Sequence, residues 1–463
     1  MGGIKMKLIK MECRRQVFTL MYILCIGLLV VSWYKNFCGI TNKEIQKTQG
    51  KESTTEIIEF DRPLLKEPTA EDEFYGMKYV ENPELIMRGA TDKLLSEYNK
   101  NVYATYPFGY YKAVSLDSDE QKRVAEILCE ITGLSEEQLL HIPEGYFPIV
   151  NGSIIHIPEE GLEGVSADGV SIAVTNEETE RKDKFSVFTP QISYDVFKDR
   201  MKEMEGMLGK GSSYSMKMLI TYYGMEEMSY EEAKTEFRTM LEEDQLTGGF
   251  ARLFCDAISG GIGILPVFLA TFLWLRDLIT GSREILYTKK ISSFKIVVSR
   301  YVAGVIIILL PVVLLSLESL VPLTKFAFQN SYNVDYFAYI KYIICWILPT
   351  IMIIVAMGTF LTILTDSPIA ILVNIVWWIV DRGITDLTGG TGLATLMIRH
   401  NTLREVEVIK EQSNLILVNR LFYVILSCLL LTMTVFILEK KRRGKFALWR
   451  YYTKITDFVR SKF

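Results

Sequence analysis

Two long apolar runs flank the stretch Arg276–Tyr301, RDLITGSREILYTKKISSFKIVVSRY. Apolar runs of that length cross membranes, so the stretch between them faces water on one side. It carries Arg276, Arg283, Lys289, Lys290, Lys295 and Arg300. Loops rich in Lys and Arg stay in the cytoplasm, so that side is expected to be cytoplasmic. Leu278, Ile279, Ile285, Leu286 and Ile291 recur at helical spacing. A short amphipathic segment between spans serves as an interfacial helix or a docking surface. The plainer reading is a basic loop that only sets topology.

The apolar runs predict an α-helical polytopic membrane protein with six transmembrane helices. The first run, Val17–Tyr34, follows Lys5, Lys7, Lys10, Arg14 and Arg15. Ser32, Trp33 and Tyr34 give no small-x-small cleavage site, so an uncleaved anchor with residues 1–16 inside is expected. Asp256–Leu275, Ile296–Leu320, Lys341–Leu364 and Leu415–Leu438 are further spans. Pro368–Val380 is short and is expected to be tilted or broken. Six spans that start inside also end inside. The basic clusters at 1–16, 276–300 and 440–462 then share one side, and 439–463 is a cytoplasmic tail. The five later spans occupy 256–438, and residues 35–250 fall outside.

Charge divides the chain the same way. Residues 35–250 hold 41 acidic and 23 basic residues, a net charge of −18. The remainder is basic, and an acidic outer part argues against nucleic-acid binding. The outer region reads as an inserted α+β domain on a polar stalk over 41–72. Helices are predicted at Pro83–Asn99, Ser118–Ile131, Tyr194–Leu208 and Tyr230–Glu243. Capping boxes are read at Ser118/Gln121, Ser135/Gln138 and Ser229/Glu232. Short strands are predicted at Tyr146–Val150, Ser153–Ile157, Val170–Val174 and Phe185–Phe188. The acidic surface would favour a cationic ligand.

Motifs for chemistry are scarce. His141, His156 and His400 have no Cys partners at metal-ligand spacing, and there is no HExxH or GxSxG. Gly206–Ser212 has the wrong spacing for a phosphate loop and reads as a helix end and turn. Of seven cysteines, Cys38 and Cys129 fall outside; a disulfide between them and two free thiols are both compatible with the pattern. Asp256, Asp277, Glu318, Asp366, Asp381 and Arg382 lie near span edges and read as interface anchors, not as an ion relay.

One span, a large outer domain and five clustered spans form a pattern that resembles the membrane subunit of type-two ABC exporter permeases. The loop after the second span, with Gly281, Glu284, Leu286 and then Ser292–Ser293, is similar to that family's coupling segment. Gly383–Asn414 lies where the family has re-entrant helices, and the stretch from Asn419 resembles its last span and basic stop. The family's proline after the coupling helix is replaced here by Lys289-Lys290-Ile291. The resemblance implies a separate ABC ATPase docking on 276–295 through Arg276, Asp277, Arg283, Glu284, Leu286, Lys289 and Lys290. Glu284 would pair with a basic residue and Leu286 would enter an apolar groove. It also implies a second permease copy or paralogue, and no cofactor in this chain, ATP being used by the partner. The alternatives are a membrane-anchored ligand-binding, assembly or sensor protein, and an ATP-independent carrier. The carrier would show repeats and buried charges.

Overall fold

Helix α1 (Gly2–Val17) ends where Thr19 caps α2 (Leu20–Asn36), its hydroxyl accepting the Tyr22 amide at 3.2 Å. The computed structural model describes residues 2–50, 62–107, 111–141, 188–209, 211–384, 392–404 and 406–445. The chain divides into two compact units, residues 1–50 with 236–463, and residues 51–235. The second unit is shorter at both ends than the expected 35–250. After a left-handed Gly39, α3 (Ile40–Thr48) joins the membrane unit instead of a stalk. The Gly39 amide donates to Glu318 at 3.3 Å, and the hydroxyls of Thr41 and Ser319 are hydrogen-bonded.

The unit of residues 51–235 is built around amphipathic helices. In α4 (Pro83–Lys100), Asn82 caps the Glu84 and Leu85 amides, and Ile86, Ala90 and Leu94 are buried. α5 (Ser118–Thr132) buries Val124, Ile127, Leu128 and Ile131, the three-to-four-residue rhythm of one helix face. Its cap is Asp117 with Glu120, one residue before the expected Ser118/Gln121 pair. Asp and Ser cap equally well, and an adjacent pair of them leaves the register open in sequence. The Ser135/Gln138 box opens α6 (Glu136–Leu139). α7 (Tyr194–Leu208) adds Phe197, Met201 and Met204 to the same core. Gly209 and Gly211 follow with positive φ, so the phosphate-loop lookalike is a helix end and turn. α8 (Met216–Tyr223) and α9 (Tyr230–Glu242) follow; the Ser229/Glu232 box opens α9. β1 (Met77–Tyr79) pairs antiparallel with β4 (Met225–Glu227), with Lys78 opposite Glu226. β2 (Tyr103–Thr105) pairs antiparallel with β3 (Lys112–Val114). The strands expected between Tyr146 and Phe188 fall, apart from Phe188, outside the described residues.

In the other unit, α10 (Thr247–Ile262) and α11 (Leu265–Ile279) form one broken span. The break frees carbonyls in an apolar setting, and α16 (Ile369–Ile384) takes them up: Asn374 donates to Gly263 O and Trp378 to Gly260 O, both at 3.0 Å. A Cβ on Gly263 would lie 2.9 Å from the Trp378 ring, so only glycine fits this joint. The short α12 (Ser282–Thr288) leads into α13 (Ser293–Asn330). α14 (Ala338–Tyr342) passes through a π-helical turn, Ile343–Ile347, into α15 (Leu348–Thr365). α17 (Val406–Arg442) ends the described chain.

Five helical runs are long and apolar enough to cross a membrane: Leu20–Thr48, Thr247–Ile279, Ser293–Asn330, Ala338–Thr365 and Val406–Arg442. The chain is a helical, multi-pass membrane protein. The remaining expected span, Pro368–Val380, is the shorter α16, whose apolar part is Ile369–Asp381. At 1.5 Å per residue α16 reaches about 24 Å, less than the roughly 30 Å hydrocarbon layer. α13 reaches about 57 Å and overshoots that layer.

The cap assignment gives a test. Asp117→Ala should destabilise α5 by about 1 kcal/mol, whereas Ser118→Ala should stay within about 0.5 kcal/mol. Hydrogen exchange of the α5 amides reads the difference, and equal effects would return the cap to Ser118.

Candidate functional site

The segment expected to couple to a partner is a mounted helix. α11 ends at Ile279 with Thr280 as its C-cap, and Gly281 at φ +69° turns the chain into α12. The seven residues of α12 are too few to persist alone, so its position depends on what holds it. Arg283 donates to Asp366 Oδ1 at 2.6 Å, and Lys441 to Asp366 Oδ2 at 2.7 Å. Asp366 is the left-handed C-cap of α15, and Lys441 lies in the last turn of α17. At the other end of α12, Arg442 donates to the carbonyls of Tyr287 (3.1 Å), Lys289 (3.0 Å) and Ile291 (2.7 Å), and to Ser293 Oγ (3.1 Å). A cation there satisfies exposed carbonyls and opposes the negative pole of the short helix. Ser293 in turn donates to Glu439 at 2.5 Å. α12 is thus tied to the ends of α13, α15 and α17.

Beneath it, Leu286, Tyr287 and Ile291 pack on Trp274, Ile296, Val297, Ile363 and Leu438. A cavity of about 20 Å³, lined by Trp274, Arg283, Tyr287, Asp366 and Lys441 among others, is large enough for one water.

The seven residues expected to meet a partner divide. Glu284, Lys289 and Lys290 are exposed, and Arg276 and Arg283 are half-buried. Leu286 faces inward onto the bundle; the apolar side chains turned outward are Ile279 (82% exposed) and Ile285 (62%). Ile285 and Leu286 are adjacent, and in so short a helix periodicity cannot decide which of them faces out. Asp277 has no outward face. Its carboxylate receives Arg15 at 2.7 Å and Arg300 at 2.5 Å, and it is 5% exposed. Glu12 lies 3.6 Å from Arg300 and 3.8 Å from Arg15, and the Arg300 guanidinium sits 4.3 Å from the Trp274 ring centroid. Two carboxylates and two guanidiniums balance, which is what a buried ionic cluster requires.

Other charges expected at span edges are also internal. Asp256 pairs with Arg399 at 2.8 Å. Asp381 accepts the amides of Leu396 (2.7 Å) and Met397 (3.0 Å). Arg420 donates to Thr350 Oγ1 (2.7 Å), Trp346 O (3.1 Å) and the carbonyls of Thr395 and Leu396. Asn419 donates to the carbonyls of Gly392, Leu393 and Thr395. These side chains satisfy the backbone of an irregular segment, 392–404, packed among helices. Trp346 belongs to the π-turn, and its carbonyl receives both Arg420 and, at 3.4 Å, the Thr350 hydroxyl. Arg252 makes a bidentate pair with Asp244 at 2.6 and 2.7 Å. Nearby, burial and Arg252 push the His400 imidazole down to about 3, so it is uncharged at neutral pH. The buried charges associated with a carrier are therefore present, each held by an internal partner.

Among the described residues no His, Cys, Asp or Glu cluster could hold a metal ion. His141 is exposed, and His156 lies outside the described residues, as does the side chain of Arg382. Cys38 and Cys129 are free thiols, not a disulfide; Cys129 packs against the core of residues 51–235, and Cys38 belongs to the other unit.

Arg442→Ala should release three carbonyls around α12 and speed hydrogen exchange over residues 282–291 by roughly tenfold, as loss of 1–2 kcal/mol of local stability implies. Arg443→Ala, which removes only an exposed pair with Glu439, should leave that exchange unchanged. Asp277→Asn leaves two guanidiniums facing one carboxylate, Glu12, and should cost about 3–5 kcal/mol, read as a fall in thermal unfolding temperature. No protein-family model, curated protein or solved structure matches the chain.

Proposed function

We propose that the chain is the membrane-spanning permease subunit of an ATP-driven ABC exporter, powered by a separate ATPase that docks on the 276–295 segment. The observation that carries this reading is the mounting of α12. A short helix with Glu284 and Ile285 facing out, preceded by the exposed Ile279 at the end of α11, is tied through Asp366, Lys441 and Arg442 to the ends of three long helices. Force applied to α12 by a partner would reach α13, α15 and α17 together. Hydrolysis in the partner would then shift the balance between two arrangements of the bundle. The basic end is assigned to the cytoplasm, with both termini there and the unit of residues 51–235 outside the cell membrane. A second copy or a paralogue completes the substrate path. The chain itself acts mechanically and binds no ATP; the acidic outer unit handles substrate or a partner.

Purification of the tagged full-length chain from its native membranes should bring an ATPase with it. Ile285→Asp should lower that recovery about tenfold or more, since a buried charge at an interface is heavily disfavoured. Leu286→Ala, which alters only the inward face, should lower it less. Recovery unaffected by Ile285→Asp would reduce the segment to a topology loop. Absence of any ATPase would favour the membrane-anchored sensor or assembly protein. In intact cells an impermeant thiol reagent should modify Cys129 and spare Cys13; labelling of Cys13 from outside would reverse the topology.

A further inference from the structure

Helix α1 is turned inside out relative to a helix that faces water. Among its described side chains, those of residues 7–17, the buried ones are polar: Glu12 is 6% and Gln16 4% exposed, and Arg15 turns toward Asp277. They lie against the first turns of α13, where Arg300 faces Glu12 and the Cys13 thiol lies 4.0 Å from Ala303 O. The opposite face carries exposed Lys7, Lys10 and Arg14, spaced i, i+3, i+7. Met11 (57% exposed) lies on the same stripe, as does Phe18 (78%) just past the helix end. All five fall within about 100° of arc. Water would favour the reverse arrangement, with apolar side chains docked and polar ones outward. An outward face of two large apolar side chains among three long cations matches the boundary between acyl chains and charged headgroups. There the apolar groups enter the hydrocarbon and the cation stems reach up to phosphate.

We propose that this face of α1 is a binding surface for anionic phospholipids, with headgroups against Lys7, Lys10 and Arg14 and acyl chains against Met11 and Phe18. The occupant follows from charge and polarity together: a protein partner would not need the paired apolar and cationic stripe at the root of a membrane span, and a zwitterionic lipid would leave the three cations uncompensated. The polar inner face gives the helix a fixed seat on α13 and α11, so the cations are presented in one orientation. This inference does not depend on the transport reading.

The test uses the full-length chain in phosphatidylcholine nanodiscs doped with spin-labelled phosphatidylglycerol or spin-labelled phosphatidylcholine. The fraction of each label immobilised by the protein is measured. The natural chain should prefer phosphatidylglycerol about threefold, less so as salt is raised. In the combined variant Lys7→Gln, Lys10→Gln, Arg14→Gln the preference should fall by at least about half, while the charge-preserving Lys7→Arg, Lys10→Arg, Arg14→Lys keeps it. A comparison variant, Lys289→Gln, Lys290→Gln, Lys295→Gln, removes the same charge from another exposed basic cluster and should keep most of it. Because all these residues are exposed, the variants should fold, which unaltered thermal unfolding checks. No preference in the natural chain, a preference that survives the α1 glutamines, or an equal loss in both glutamine variants would overturn the proposal.

Discussion

Inside a bilayer there is no water to satisfy a freed backbone group, and that constraint shapes this chain more than any other. The spans are not uninterrupted helices. α10 and α11 are separated at Gly263, α14 runs through a π-turn, and between α16 and α17 the packed segment 392–404 is irregular. At each interruption a polar side chain from a neighbouring helix meets the exposed carbonyl or amide: Asn374 and Trp378 at the first, Arg420 at the second, Asp381, Asn419 and Arg420 at the third. The buried polar residues thus allow broken backbone, and the broken backbone gives the bundle places where its helices can change direction.

The opposite end is organised by charge. Asp277 joins α1, α11 and α13, while Asp366 joins α12, α15 and α17 through Arg283 and Lys441. Asp277 lies only two residues before the end of α11, so the two carboxylates fix the segment leading into α12 from below and the helix itself from the side. Isolated exposed ion pairs hold little energy. Here the pairs are linked by shared carboxylates and by the carbonyls around Arg442, so displacing one disturbs the others.

The legible part of the fold was that governed by periodicity and composition. Long apolar runs marked the five long spans, and the short Pro368–Val380 run corresponded to the short α16. α7 matched its expected limits, and α4, α5 and α9 came within one residue. What sequence could not supply were facts about partners distant in the chain. Asp277 and Glu284 are both acidic residues in one basic segment, yet one is enclosed and the other exposed; the difference is made by Arg15 and Arg300, 262 and 23 residues away. Leu286 and Ile285 likewise exchange roles because the bundle beneath selects one face. The edge charges Asp256 and Asp381 read as surface anchors because the irregular 392–404 segment that encloses them has no periodic signature.

Arg420 has a consequence for biogenesis. An arginine within a membrane-spanning helix resists transfer into lipid when that helix enters alone. Every hydrogen-bond acceptor that receives it, on Trp346, Thr350, Thr395 and Leu396, precedes it in the chain, as does the carboxylate of Asp381. Helix α17 therefore leaves the ribosome after its acceptors have been made. Insertion of α17 is then coupled to its packing, the helix being drawn in by those already in place.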